Sequence, residues 1–179
     1  MVVLMGIKHC GKSTVGNVLA DLNKSPFFDI DDEIERMSGM SFRELYATKG
    51  KDAFMRAEAA ACRAVLEHGK PDAVIATGGG ICDNEAAVAE LKAAGCRLVY
   101  LCVDEKTACD RILTEVEKTG SLPAYIQKEH PANEQDVRSI FNAFYRRRTK
   151  AYEALCDATV TVSGKSPKAI ADEIAALRF

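Results

Sequence analysis

A chain of 179 residues has room for one domain with a substantial buried core, and a composition of 47% apolar and 28% charged residues is that of a globular protein. A net charge of −2 provides no overall basic field, which argues against nucleic acid as a partner. No run of 18 or more apolar residues occurs, and the first residues, Met1-Val-Val-Leu-Met-Gly6, carry no signal-like leader, so the expectation is a soluble cytoplasmic protein with no membrane span.

In chain order, short apolar runs alternate with helical patterns. Val2 to Met5 reads as a buried strand and Lys12 to Leu22 as an amphipathic helix. Phe27 to Ile30 is a second strand, and Lys51 to His68 a second helix. Ala73 to Ala76 and Arg97 to Val103 are strands separated by a helix over Glu85 to Ala94. Helices over Lys106 to Lys118 and Glu134 to Leu155 precede a last strand, Ala158 to Val162, and a last helix, Ser166 to Leu177. This alternation predicts an α/β fold, a mainly parallel sheet with helices on both faces. Residues 118–133, with Gly120, Pro123 and Pro131 and no clear period, read as a lid over a site or as a plain surface loop. The seven cysteines are odd in number and form no C-x-x-C pair, which predicts reduced thiols packed as small hydrophobes.

The strongest motif is Gly6-Ile7-Lys8-His9-Cys10-Gly11-Lys12-Ser13, which satisfies G-x-x-x-x-G-K-[ST] between a strand and a helix. Its glycines let successive N–H groups converge on phosphate oxygens, and the helix starting near Lys12 directs its positive end there. Lys12 is expected to reach the β- and γ-phosphates of ATP, and the Ser13 hydroxyl to bind Mg2+, with Gly6, Lys8, Cys10, Gly11 and Thr14 completing the nucleotide set. Lys8 and His9 stand on the arch of the loop, where either can touch phosphate or be solvated. Cys10, next to a helix N-terminus, is placed where a thiolate is favoured and oxidation is easier.

Two further features stand after strands, where ligands of such sheets bind. Asp29 and Asp31, two apart, project to one side if the backbone is extended; one carboxylate can hold magnesium and the other can accept the proton of an attacking hydroxyl. Helix capping is the competing role for acids here, and Asp32 and Glu33 suit it. Val74 to Thr77 leads into Gly78-Gly79-Gly80, a run that permits positive φ and close approach of a ligand to the backbone.

Together, the strand–P-loop, F-x-D-x-D-x-x-I-E, the strand ending in G-G-G, the lid and a late R-x-x-x-Y resemble the shikimate kinase family over essentially the whole chain. The resemblance implies a five-stranded parallel sheet of P-loop type and transfer of phosphate from ATP to the 3-hydroxyl of shikimate, by a monomer. By motif it implies Asp31 as base and binder of substrate hydroxyls, and Asp29 as a magnesium ligand through water. It places Gly78, Gly79 and Gly80 along the substrate pocket, Arg148 on the substrate carboxylate and Arg111 near the adenine. Ser163 to Pro167 resembles the family's late nucleotide-base loop. Lys150 stands where the family usually has proline two residues after the arginine matched by Arg148, and two further departures matter more. Met55 stands where F-R-x-x-E has its arginine, with Arg56 one step on and about 100° around a helix. Leu122 stands where the lid has an arginine, leaving Lys118, Lys128 or Arg138 as substitutes. Loss of an arginine–carboxylate contact weakens a charged substrate by about 1.5–3 kcal/mol. Two other readings remain: a related kinase for another polyol, sugar acid or nucleotide, and a nucleotide-binding regulator with little turnover. Arg146 and Arg147, next to Arg148, are read as solvated.

Overall fold

The computed structural model describes residues 1–177. Five strands form one sheet: β1 (Val2–Met5), β2 (Phe27–Asp29), β3 (Val74–Ala76), β4 (Arg97–Cys102) and β5 (Ala158–Thr161). Their spatial order is β2-β3-β1-β4-β5 and every pairing is parallel, with Leu4 opposite Ala76 on one side and Val99 on the other. The helices are α1 (Lys12–Asn23), α2 (Ile30–Ser38), α3 (Phe42–His68), α4 (Glu85–Ala93), α5 (Glu105–Thr119), α6 (Ala124–Gln127), α7 (Glu134–Leu155) and α8 (Pro167–Ala175).

Alternate strand residues supply two separate cores, one on each face of the sheet. Leu4, Val74, Val99, Leu101 and Val160 pack with Val15 and Leu19 of α1, Ile112 of α5, Phe141 of α7 and Ile170 of α8. Val3, Met5, Ile75, Leu98 and Tyr100 pack with Ile34 of α2, Val65 of α3 and Leu91 of α4. Helix α7 serves both, because its later residue Tyr152 is fully buried in the second core and stacks on Tyr100 with ring centroids 5.0 Å apart. With β1 central and its neighbours leaving in opposite directions, the carboxyl ends of β1, β2 and β3 open onto one shared crevice.

The predicted strands and helices are present, with three differences. Helix α3 begins nine residues earlier than the pattern predicts. Its first part is capped by Ser41, whose Oγ accepts from the Glu44 N–H at 3.2 Å, and it meets the rest at a kink where Gly50 has φ 81°. Ile30 opens α2 instead of ending β2. The 118–133 segment carries one turn of helix, α6, behind Pro123, too short to leave a period in sequence. Among the described residues, no helix is long and apolar enough to cross a membrane.

Candidate active site

The loop from Gly6 to Ser13 is shaped by its glycines. Gly6 has φ 151°, and a Cβ there would lie 2.7 Å from the Leu101 carbonyl oxygen, so no side chain fits; Gly11, at φ 101°, is the N-cap of α1. Lys12 folds back over the loop, with Nζ 3.0 Å from the Gly6 carbonyl oxygen and 3.2 Å from that of Ile7. Two half-buried basic side chains, Lys8 and His9, stand near it. Burial, then the charge of Arg43, holds the Lys8 amine below its ordinary value, and burial followed by Lys8 does the same to His9. An anion bound at the loop relieves that mutual repulsion, which fits a polyphosphate. Thr14 is exposed on the first turn of α1. Cys10 takes no outward position: its thiol is buried 3.8 Å from Lys12 Nζ and its amide donates to the Ile7 carbonyl at 3.2 Å.

Asp29 does two tasks that the sequence separates. Its Oδ1 accepts the Asp31 N–H at 3.0 Å, making it the N-cap of α2, and its Oδ2 accepts the Ser13 hydroxyl at 2.6 Å. The cap expected of Asp32 and Glu33 therefore belongs to Asp29, while Glu33 pairs with Arg36 at 2.6 Å. The two acids do not share an extended strand, because the helix starts between them. Asp31 nonetheless enters the same crevice, and burial, followed by the charge of Asp29, pushes its carboxyl up to about 6.

The glycine triplet achieves closeness, not an unusual backbone turn. None of the three has positive φ, and Gly80 has φ −102°. A Cβ at Gly78 would lie 3.1 Å from Asp31 Oδ1 and 3.2 Å from Glu58 Oε1; one at Gly79 would lie 3.0 Å from the Lys8 nitrogen. The run thus brings the P-loop, Asp31 and Glu58 within van der Waals distance of one backbone segment. Arg148 closes the far side. It donates to the Gly79 carbonyl through Nη1 and to Asp83 Oδ2 through Nη2 at 2.9 Å, and Tyr152 Oη donates to the same Gly79 oxygen at 2.6 Å. Arg147 is not merely solvated: it forms a two-pronged pair with Asp83, at 2.6 and 3.1 Å, and holds that carboxyl below the ordinary carboxylate range.

Two members of the site were not singled out from sequence, Asp83 and Glu58. Glu58 stands one helical turn after Met55 and is 1% exposed; Asn84 Nδ2 donates to its Oε2 at 2.8 Å and its Oε1 has no partner. The available signal was its place as the acid of the F-R-x-x-E pattern. Arg56 is exposed, so it does not replace the missing arginine from inside the crevice. Burial pushes the Glu58 carboxyl from 4.5 to about 7. Because the folded value lies above the unfolded one, its contribution to stability is complete below pH 4.5 and is lost as pH rises through 7. That contribution amounts to roughly 3 kcal/mol. Glu58→Gln is expected to flatten this slope, seen as a smaller fall in the urea midpoint from about pH 5 to about pH 8 than in the parent chain, the remaining fall coming from the raised Asp31 carboxyl.

On the other side of the P-loop, a cleft of about 380 Å3 is lined by His9, Thr107, Arg111, Glu115 and Lys118. Arg111 Nη1 donates to the His9 carbonyl at 2.7 Å. The late loop lies against the start of α5, with Ser163 Oγ donating to Asp104 Oδ2 at 2.6 Å. Of the three candidate lid cations, Arg138 is committed to Asp110 and Glu134, at 2.9 and 2.8 Å, and Lys128 is exposed on the lid. Lys118 faces the cleft, and Leu122 packs against the first core.

Against known proteins, the family model described as shikimate kinase matches residues 8–177. The chain belongs to the shikimate kinase family. It is 31% identical to "Shikimate kinase 1" of Sodalis glossinidius over 173 residues, 97% of this chain and 92% of that one. Shikimate kinase from Acinetobacter baumannii, solved in complex with shikimate, superimposes with a TM-score of 0.78 at 25% identity, covering 97% of this chain and 89% of its own. Shikimate kinase from Aquifex aeolicus gives a TM-score of 0.70 at 25% identity over 98% of this chain and 94% of its own. As a member of the shikimate kinase family, the chain is an ATP-dependent kinase of P-loop fold.

Proposed function

We propose that this chain transfers the terminal phosphoryl group of ATP to the 3-hydroxyl of shikimate, acting as a cytoplasmic monomer with magnesium. The observation that carries this reading is the position of Asp31, half-buried between the Lys12 side of the P-loop and Gly78 and facing the same crevice as Arg148.

The residues fit the nucleotide and its metal. The Gly6–Ser13 loop and Lys12 would hold the phosphates, Arg111 and Lys118 line the cleft suited to the base, and Ser13 with Asp29 would hold Mg2+, which wants few protein oxygens beside phosphate and water. When bound there, Mg2+ would supply charge neutralisation for the transferring phosphates. Asp31, its carboxyl near 6, is ionised at neutral pH yet basic enough to accept the proton of the acceptor hydroxyl at Oδ1 or Oδ2. Lys12, released from the Gly6 and Ile7 carbonyls, turns its ammonium to the transferring group and stabilises charge as it shifts to the leaving oxygen. Gly78 leaves room for the acceptor ring beside Asp31. Arg148 meets the carboxylate at the opposite end and orients the acceptor for in-line attack.

A second reading, a kinase for another hydroxylated acid, is favoured by Met55 and by the unpartnered Oε1 of Glu58, which together leave one wall of the pocket less cationic than the family pattern. ADP release with magnesium, measured with shikimate, gluconate and a nucleoside monophosphate in turn, separates the two. Stimulation by shikimate alone is the expected outcome; stimulation by gluconate or the nucleotide in its place transfers the assignment to that acceptor.

A further inference from the structure

Three planar groups from two elements form a column beside the substrate side of the crevice. Phe144 precedes Arg148 by four residues on α7, so its ring lies over the guanidinium, with Arg148 Cζ 4.2 Å from the ring centroid. Tyr125, on the lid helix α6, stacks on Phe144 with centroids 3.8 Å apart and planes 13° apart. Two groups that close to one centroid cannot share a face, so Phe144 is held between them. The lid end of the column is itself anchored: the next residue, Ile126, is fully buried in the first core, where Leu122 also packs.

We propose that Tyr125 is a positioning residue for Arg148, acting through Phe144, so that the acceptor-binding arginine is held in register only when the lid helix is seated. The physical basis is straightforward. Arg148 has hydrogen bonds to Gly79 and Asp83 at its tips, but its buried Nε has no partner, so the contact on its face is the further restraint on the tilt of the guanidinium. Phe144 supplies that face, and a face-to-face partner on its other side restricts its rotation and fixes the cation–π contact. The arrangement matters more here because Met55 contributes no charge toward the acceptor. The proposal rests on the reading that Arg148 binds the acceptor carboxylate, and the experiment separates the two.

Two measurements on Tyr125→Leu and Tyr125→Phe test it. In steady-state kinetics with shikimate, Tyr125→Leu is expected to raise the shikimate KM about 3- to 10-fold with little change in kcat or in the KM for ATP, while Tyr125→Phe restores the parent value. In an Arg148→Lys background the same Tyr125→Leu change is expected to add nothing, since the stacked group is gone. An unchanged shikimate KM, or an equal effect in both backgrounds, overturns the proposal. Without any acceptor, NMR of the arginine side chains reads the column directly: the Arg148 side-chain protons are shifted upfield by the Phe144 ring, and Tyr125→Leu is expected to reduce that shift. Retention of the full shift overturns the positioning role. If the parent chain does not turn over shikimate at all, the substrate reading fails and this NMR outcome still decides the column.

Discussion

Asp31→Asn is expected to lower kcat with ATP and shikimate by about 10²- to 10⁴-fold, the range lost when a positioned general base is removed. Asparagine keeps the size of the side chain and its place against Gly78, where Oδ1 lies 3.1 Å from the position a Cβ would take. ATP binding, set by the P-loop, is therefore expected to persist, and a calorimetric titration with ATP checks that the variant is folded and loaded. The pH dependence gives a second handle on the same residue. Burial and the charge of Asp29 raise the Asp31 carboxyl to about 6, so kcat/KM is expected to climb with pH through about 6 and then level off. The sign follows from the base being competent only when ionised: below about 6 the carboxyl holds its proton and cannot accept another. A flat profile across that interval, or a variant retaining most of its kcat, would assign proton removal elsewhere.

Lys12→Met is expected to reduce kcat/KM for ATP by about 10²- to 10³-fold, on the scale of removing one preorganised charge from a transition state. The lysine is 9% exposed and holds two loop carbonyls at 3.0 and 3.2 Å, so methionine occupies the same channel without the charge. Rate measurements at saturating ATP show whether the loss lies in chemistry or in nucleotide affinity. A variant with more than about a tenth of the parent kcat/KM would remove Lys12 from the transition state.

Much of the architecture was legible because parallel strands buried on both faces read as unbroken apolar runs, as Val2–Met5 and Arg97–Cys102 do. The P-loop was legible because its glycines are irreplaceable on steric grounds, as the contact of a Gly6 Cβ with Leu101 makes plain. What was hidden is of two kinds. Local competition hid the start of α2: Asp29 reads equally as a strand-end acid or a cap, and its short side chain does both, bonding Ser13 and the Asp31 amide. Lys49 and Lys51 around Gly50 likewise hid the first part of α3, where tertiary packing of Leu45 outweighs weak local periodicity. Long-range pairings were hidden altogether. The Asp83 pair with Arg147 spans 64 residues, and the Tyr125–Phe144 stack joins a four-residue helix to a long one, with no spacing rule to link them. The glycine triplet follows β3 as its sequence indicates, but it serves close approach and uses no positive φ, which a run of glycines alone does not reveal.

Phosphorus NMR of the chain incubated with ATP, magnesium and shikimate tests the central claim most directly. ADP and one new phosphomonoester are expected to rise together, the ester phosphorus coupling to the proton on the carbon that carries the 3-hydroxyl. ADP with inorganic phosphate and no new phosphomonoester, or a spectrum that shikimate does not change, would contradict phosphoryl transfer to that acceptor.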